Sequence, residues 1–391
     1  MRRFLGDFGA TYAASAVVGF IFAASGPVAI VLAVGAQGGL SESDLASWLF
    51  GAFFINGLIS IAFCLAWRQP LVFFWTIPGS VLVGPALTHL SFPEVIGAFL
   101  ATGTLMLALG LSGWVRRCTE AAPMPIVMAM VAGVFMRFGV GLVHAVRDDA
   151  AVAVPMVLAF LVLTFATGLG RRLPPLIGAL IAGALAILLS GGIESRPADL
   201  PVTLLPNLYA PAFSWTAMVE LVVPLAITVL VVQNGQGFAV LTAAGHRPPL
   251  DAIATACGAG SMVTAFVGSV STCLTGPVNA IISGSGEKHR QYTAGVFVGV
   301  LALAFGLLAP LFTPLLLAMP PAFIAALAGL AMLRVLQTAF SVSFGGKFTF
   351  GALVTFLVTV ADVPILNIGA AFWGLVLGFA ASWLLERKDF A

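Results

Sequence analysis

Two stretches of this 391-residue chain place polar and aromatic residues beside a Pro/Gly break inside otherwise apolar sequence. The first is Phe73-Phe74-Trp75-Thr76-Ile77-Pro78-Gly79-Ser80, and the second is Ser271-Thr272-Cys273-Leu274-Thr275-Gly276-Pro277-Val278-Asn279. Each runs from a β-favouring segment through the break into a helix-compatible piece. Proline suits the first turn of a helix, where its missing N–H has no partner anyway, so each break reads as a new helix start. A helix start presents unpaired N–H groups and about half a positive charge. Two facing starts therefore offer about one unit of positive potential without any Lys or Arg, and the chemistry they suit is anion binding. The alternative for each break is an ordinary proline kink in a continuous span.

A second pair of interruptions is Ser25-Gly26-Pro27 and Gln233-Asn234-Gly235-Gln236-Gly237. Amides at membrane depth are costly unless they line a cavity or find partners, so Gln233, Asn234 and Gln236 are read as cavity-facing, with an interhelical hydrogen-bond cluster as the alternative. The candidate substrate contacts are thus Ser25, Gly26, Pro27, Phe74, Trp75, Thr76, Ile77, Pro78, Gly79, Gln233, Asn234, Gln236, Thr272, Cys273, Thr275, Gly276 and Asn279. No acid falls at the centre of these four stretches. Glu220 and Asp251 lie near segment ends, and Asp362 closes another segment. His89, His144, His246 and His289 fall at segment ends or in loops, and Arg137 and Arg334 either snorkel or pair with a carboxylate. An intramembrane enzyme would need a nucleophile and base, or metal ligands, at one depth, and this distribution argues against one. No Walker-type loop appears for ATP drive. Cys64, Cys118, Cys257 and Cys273 have neither metal-ligand spacing nor a disulfide framework.

The elements that must carry these residues follow from composition. The chain is 60% hydrophobic and 8% charged, with a mean hydropathy of +1.10, whereas soluble domains are about 45–50% apolar and about 25% charged. A soluble domain is excluded, and the long segments, apolar on every face, exclude a barrel of alternating strands. Breaks at charges and Pro/Gly clusters divide the chain into fourteen spans: 12–35, 45–66, 71–89, 92–113, 121–143, 150–169, 173–190, 214–241, 250–268, 269–285, 291–316, 320–342, 347–362 and 366–385. This is an all-α polytopic membrane protein, with short strands and half helices in spans 3 and 10. Arg2, Arg3 and Ala23-Ala24-Ser25 mimic a secretory signal, but Asp7 interrupts it and apolar sequence continues to Val34, so an uncleaved first helix is expected.

Orientation comes from the basic residues. With the N-terminus inside, Arg2, Arg3, Arg68, Arg116, Arg117, Arg171, Arg172, Arg247, Lys288, Arg290, Lys347, Arg387 and Lys388 are cytoplasmic, against only Arg147 and Arg196 outside. Both termini are then cytoplasmic. A net charge of +2 with no basic run excludes a nucleic-acid footprint. Pro125-x3-Ala129-x2-Ala132-Gly133-x2-Met136 matches Pro321-x3-Ala325-x2-Ala328-Gly329-x2-Met332 at an offset of 196 residues, about half the chain. Seven spans per half force the second copy to run in the opposite direction, which gives two inverted 7-span repeats of the kind found in secondary transporters.

The run Gln69-Pro70-Leu71-Val72-Phe73-Phe74-Trp75-Thr76-Ile77-Pro78-Gly79-Ser80, with Ser25-Gly26-Pro27 and Gln233-Asn234-Gly235-Gln236-Gly237, resembles the benzoate/proton symporter (BenE) family of the bacterial inner membrane. The resemblance covers essentially the whole chain and is most specific in Phe74-Trp75-Thr76-Ile77-Pro78-Gly79. It implies the architecture of the uracil and sulfate-type transporters. In that architecture a core domain is made of 1–119 (spans 1–4) and 214–318 (spans 8–11), and a gate domain of 120–190 (spans 5–7) and 319–391 (spans 12–14). An inter-repeat loop, 191–213, joins the halves. It further implies import of an aromatic carboxylate, benzoate first, by proton symport, with the proton as coupling ion and no other cofactor. The partners are the carboxylate and membrane lipid, with a homo-oligomer left open. The alternatives are an inorganic-anion exchanger or channel of the same architecture, or a nucleobase/proton symporter. The last is opposed by amides where the nucleobase carriers have a glutamate in span 8, and by Thr275-Gly276-Pro277 in place of an acid in span 10.

Overall fold

A computed structural model of the chain describes residues 6–115, 117, 123–165, 175–190, 205–284, 286–363, 365 and 370–390. Arg2, Arg3, Arg116, Arg171, Arg172, Arg196, Cys118 and residues 191–204 of the inter-repeat loop lie outside them. The helices, in chain order, are α1 (Ala10–Gln37), α2 (Glu42–Trp67), α3 (Ile77–Ala86), α4 (Phe92–Ser112), α5 (Met124–Asp148), α6 (Ala150–Phe165) and α7 (Pro175–Ser190). They continue with α8 (Trp215–Ala243) and α9 (Leu250–Ala265), α10 (Gly276–Ser283), α11 (Tyr292–Leu307) and α12 (Ala309–Leu317). The last three are α13 (Pro321–Phe344), α14 (Thr349–Ala361) and α15 (Ala370–Leu385). Among the described residues, seven helices are long and apolar enough to cross a membrane, and six more are shorter and apolar.

Polarity is distributed for a lipid solvent. Large apolar side chains such as Leu111, Val143, Leu158, Phe165, Leu189 and Trp383 face outward, while Asn56, Thr76, Asn234, Thr272 and Asn279 are fully buried. Hydrocarbon gives no hydrophobic drive between helices, so association relies on close packing and internal hydrogen bonds. The sequence repeat shows how. Gly329 of α13 packs where a Cβ would stand 2.7 Å from the Phe138 carbonyl oxygen of α5. Its counterpart Gly133 lies against Thr359 of α14, where a Cβ would stand 2.7 Å from the Thr359 Cβ. The repeated small residues thus sit at close helix–helix approaches.

Two expected interruptions take different forms. α1 breaks at Ser25, whose φ of −100° and ψ of −98° are not helical, and Pro27 then opens the second half. The interruption expected at Gln233-Asn234-Gly235-Gln236-Gly237 is corrected: α8 continues through it, with Gln233 and Asn234 both in the right-handed helical region. The irregularity lies earlier, as π turns at Met218–Val222 and Thr228–Gln233. Such turns absorb an extra residue without breaking the backbone ladder, and they cluster at functional sites. A third π turn, Gly51–Ile55, interrupts α2.

Near the connection between α8 and α9, His246 is buried and its Nε2 lies 2.7 Å from Gln291 Oε1. Burial holds this imidazole below its ordinary value of 6.5, with Lys288 adding to the shift, so it is a neutral partner for Gln291.

Candidate substrate site at the strand crossing

Two strands, β1 (Phe73–Trp75) and β2 (Thr272–Leu274), pair antiparallel with Phe73 opposite Leu274, Phe74 opposite Cys273 and Trp75 opposite Thr272. Two backbone bonds extend the pair: Thr76 N–H donates to the Ser271 carbonyl (3.0 Å) and Thr275 N–H to the Val72 carbonyl (3.1 Å). Helices α3 and α10 leave from opposite ends of this pair, so their N-termini face each other across it. The four-residue offset from Val72 to Thr76 sets the starts about 13 Å apart along the strands.

A two-stranded sheet inside a membrane has two unpaired edges, and exposed N–H groups there would cost several kcal/mol each. Side chains from the flanking helices take the place of further strands. Ser60 Oγ of α2 accepts from Phe73 N–H (2.8 Å), and Ser261 Oγ of α9 accepts from Thr272 N–H (3.0 Å). Asn234 Oδ1 of α8 accepts from Leu274 N–H at 2.8 Å. Asn279 of α10 holds Val72 at both ends, its Oδ1 accepting from the N–H (3.0 Å) and its Nδ2 donating to the carbonyl (3.2 Å). Thr272 Oγ1 donates to Asn56 Oδ1 at 2.8 Å. Side-chain partners therefore hold the strand backbone at the crossing.

The two helix starts differ. At α3 the Thr76 hydroxyl accepts from Gly79 N–H (3.1 Å), and it also donates to Thr228 Oγ1 of α8 (3.2 Å), so this start is capped. At α10 the Thr275 side chain makes no capping bond. The α10 start keeps its N–H groups available to a ligand. α8 passes both starts: Thr228 touches Thr76, and Gln236 covers Gly276, where an added Cβ would stand 2.8 Å from the Gln236 Cβ. Eight helical residues rise about 12 Å, which matches the spacing of the starts. Gln233 lies between these two positions on α8 and is only 6% exposed.

The expected site residues fall into three groups. Phe74 and Trp75 are paired with Cys273 and Thr272, while Thr76, Ile77, Pro78 and Gly79 lie at one end of the strand pair and Thr275 and Gly276 at the other, with Gln236 against Gly276 and Gln233 further along α8. The side-chain amides of Gln233 and Gln236 make no hydrogen bond among the described residues, nor does the buried Trp75 Nε1. Asn234 and Asn279 lie at the crossing with their amides on strand backbone, and Asn234 also meets Cys257 Sγ at 3.5 Å. Ser25 and Gly26 turn elsewhere. The Ser25 hydroxyl donates to its own helix at Phe22, and Gly26 packs against Ala331 of α13. Pro27 is buried at the start of the second half of α1.

The residues not anticipated at the crossing are Asn56, Ser60, Ser261 and Thr228, and Ser271, not named among the candidate contacts, has a buried Oγ with no partner among the described residues. Single serines and threonines in apolar helices carry no spacing signal. Asn234→Ala should leave Leu274 N–H without an acceptor, at a cost of about 1–3 kcal/mol. This is read as a lower thermal midpoint of the purified protein with or without ligand. Gln236→Ala should leave that midpoint in place and weaken ligand binding.

The sequence profile described as benzoate membrane transport protein, BenE, matches residues 8–384. The chain belongs to the BenE family. Members of this family are membrane transporters and not enzymes, and the multi-pass helical fold agrees. The chain is 26% identical over 370 residues to the benzoate membrane transport protein of Acinetobacter baylyi, covering 93% of this chain and 92% of that one. It is 27% identical over 356 residues to the inner membrane protein YdcO of Escherichia coli, covering 90% and 89%. Among solved structures, this BenE-family chain resembles the transmembrane domain of a cyanobacterial bicarbonate transporter, BicA. That match has a TM-score of 0.64 at 16% identity and covers 93% of this chain and 97% of that one. It also resembles the murine Solute Carrier 26 family member A9 anion transporter in its inward-facing state, at a TM-score of 0.63 and 15% identity, over 96% and 68% of the two chains. At these identities the likeness is one of fold.

Proposed function

We propose that this BenE-family transporter imports an aromatic carboxylate, benzoate first, by proton symport across a bacterial inner membrane. The observation that carries the reading is the strand crossing: an uncapped helix start at Thr275-Gly276 faces a second start across about 13 Å, with the free amides of Gln233 and Gln236 alongside. A carboxylate at the uncapped α10 start is held by its N–H groups and helix dipole, with the dipole of α3 facing it across the crossing, in a low-dielectric setting. Phe74, Trp75 and Phe53, whose ring lies 5.3 Å from that of Phe74 and 5.1 Å from that of Trp75, supply aromatic walls, and Trp75 Nε1 is a spare donor. The relative named for benzoate transport supports the substrate class.

The same reading gives the chain fourteen spans in two inverted repeats, with α11 and α12 sharing one span and β1–α3 and β2–α10 each making one. The core, 1–119 and 214–318, holds the site and moves against the gate, 120–190 and 319–391, with 191–213 joining the halves. Both termini are cytoplasmic, as the thirteen-to-two distribution of Lys and Arg supports. In a chain freed of its native cysteines, single cysteines replacing Glu42, Arg147 or Arg196 should react with an impermeant maleimide from the periplasm. Those replacing Arg117, Arg172 or Lys388 should not. Periplasmic labelling at position 172 contradicts the fourteen-span arrangement.

Uptake of labelled benzoate into proteoliposomes tests the substrate class. Other aromatic acids should compete while chloride and sulfate should not. The reverse pattern would favour the inorganic-anion reading that the same helix starts could serve.

A further inference from the structure

Away from the strand crossing, a small cavity is lined by Leu82 of α3, Arg137 of α5, Glu220 of α8, Thr359 of α14, Asp362 and Phe372 of α15. Its walls come from both proposed domains, and in the proposed orientation it opens to the outer side. Among the described residues Glu220 is the one acid that is buried, at 5% exposure. Its Oε2 lies 2.9 Å from His89 Nε2, and His89 is 24% exposed. Across the cavity Arg137 Nη1 donates to Gln37 Oε1 of α1 at 2.9 Å, which bridges the two sides.

The other titratable groups facing the pair come from α4, α5 and the end of α14. α4 brings Glu94, whose carboxylate is held by Ser91 and faces His89. α5 brings Arg137, and the end of α14 brings Asp362. α3 and α15 bring no titratable group of their own.

We propose that Glu220, seated on His89, is the proton-binding site of the transport cycle. The inference rests on the symport reading. Carrying a carboxylate inward against a membrane potential costs about 2.3 kcal/mol per 100 mV, and one accompanying proton cancels that charge. The helix starts favour the anionic form of the substrate, so the proton resides elsewhere. A buried carboxylate in a cavity open to the outside is the group that can take it. A proton from outer water binds the Glu220 carboxylate, neutralising it, and leaves to the cytoplasmic side after the core has moved. His89 is a positioning residue that holds the Glu220 carboxyl group in place at 2.9 Å. Neutral Glu220 loosens its hold on His89, and the cavity between the domains closes around an uncharged carboxyl.

The test uses the full-length protein in two measurements. In proteoliposomes, benzoate entry into wild-type vesicles should carry protons with it, and E220Q should lose this proton flux by tenfold or more, with any remaining exchange independent of external pH. In purified protein without substrate, infrared difference spectra between about pH 5 and about pH 8 should show a protonated-carboxyl band that E220Q removes. H89Q, which replaces the hydrogen-bond partner of that carboxyl, should move the frequency of the band. A band that persists in E220Q, an unmoved band in H89Q, or an unchanged proton-to-benzoate ratio in E220Q overturns the proposal. If wild-type vesicles take up no aromatic acid, the substrate reading fails by itself, and the infrared band still decides the fate of Glu220. Should E220Q fail to yield monodisperse protein, the band in H89Q decides it.

Discussion

Gly276→Val should abolish benzoate binding while the protein still inserts and purifies as a monodisperse species. At position 276 an added Cβ would stand 2.8 Å from the Gln236 Cβ and 3.5 Å from the Gln236 backbone carbon, so the α8 backbone has to move, not only a flexible side-chain end. The branched valine would also cover the N–H groups that Thr275 leaves uncapped, which is where the account seats the carboxylate. The expected loss exceeds a hundredfold in Kd, or about 2.7 kcal/mol. Gly276→Ala should fall between, since it keeps the crowding and drops the two branches. The equivalent change at Gly79 acts differently. There the added carbon meets the Thr76 side chain, so it displaces a cap before it reaches a ligand. Titration calorimetry with benzoate, beside size-exclusion profiles, separates lost binding from lost protein.

The second large effect is expected at Asn279. Its amide satisfies both the N–H and the carbonyl of Val72, at the edge of a sheet that has no water to turn to. Asn279→Ala leaves that N–H buried without an acceptor, a cost of about 1–3 kcal/mol, and the apparent thermal midpoint should fall by roughly 2–6 °C. Asn279→Asp keeps the acceptor but removes the donor and adds a negative charge within the first turn of α10. That charge competes for the same helix dipole as the substrate. The aspartate variant should therefore lose benzoate binding more completely than alanine does at comparable stability. Equal binding by the two variants would detach Asn279 from the electrostatics of the site.

Legibility in the sequence followed the nature of each signal. Pro78-Gly79 and Gly276-Pro277 announced helix starts because proline constrains the backbone wherever it sits, and β1 and β2 precede them as the aromatic and Ser/Thr runs suggested. The pairing of those strands was not legible, since three-residue strands with a sequence separation near half the chain leave no local pattern. The amide cluster drew attention correctly, yet composition could not divide it. Asn234 serves the Leu274 backbone, and Gln233 and Gln236 remain open, a distinction set by helix phase across π turns that no periodicity forecasts. Ser25-Gly26-Pro27 broke α1 as expected, but Gly26 serves a contact with Ala331. His89 and Glu220 looked peripheral because each sits near a helix end. Only the fold shows that these residues, 131 positions apart, lie within 2.9 Å.

The claim on which the account depends is that helix starts, without a basic side chain, hold a substrate carboxylate. Equilibrium competition of benzoate and benzamide for the purified protein tests it most directly, because the two share a ring and differ in charge. The dipole at each start is worth about 0.3–2 kcal/mol toward an anion, so benzoate should bind about tenfold or more tightly than benzamide. The preference should survive Arg137→Gln and Arg334→Gln. Equal competition by benzamide, or loss of benzoate binding on neutralising either arginine in properly folded protein, would contradict it.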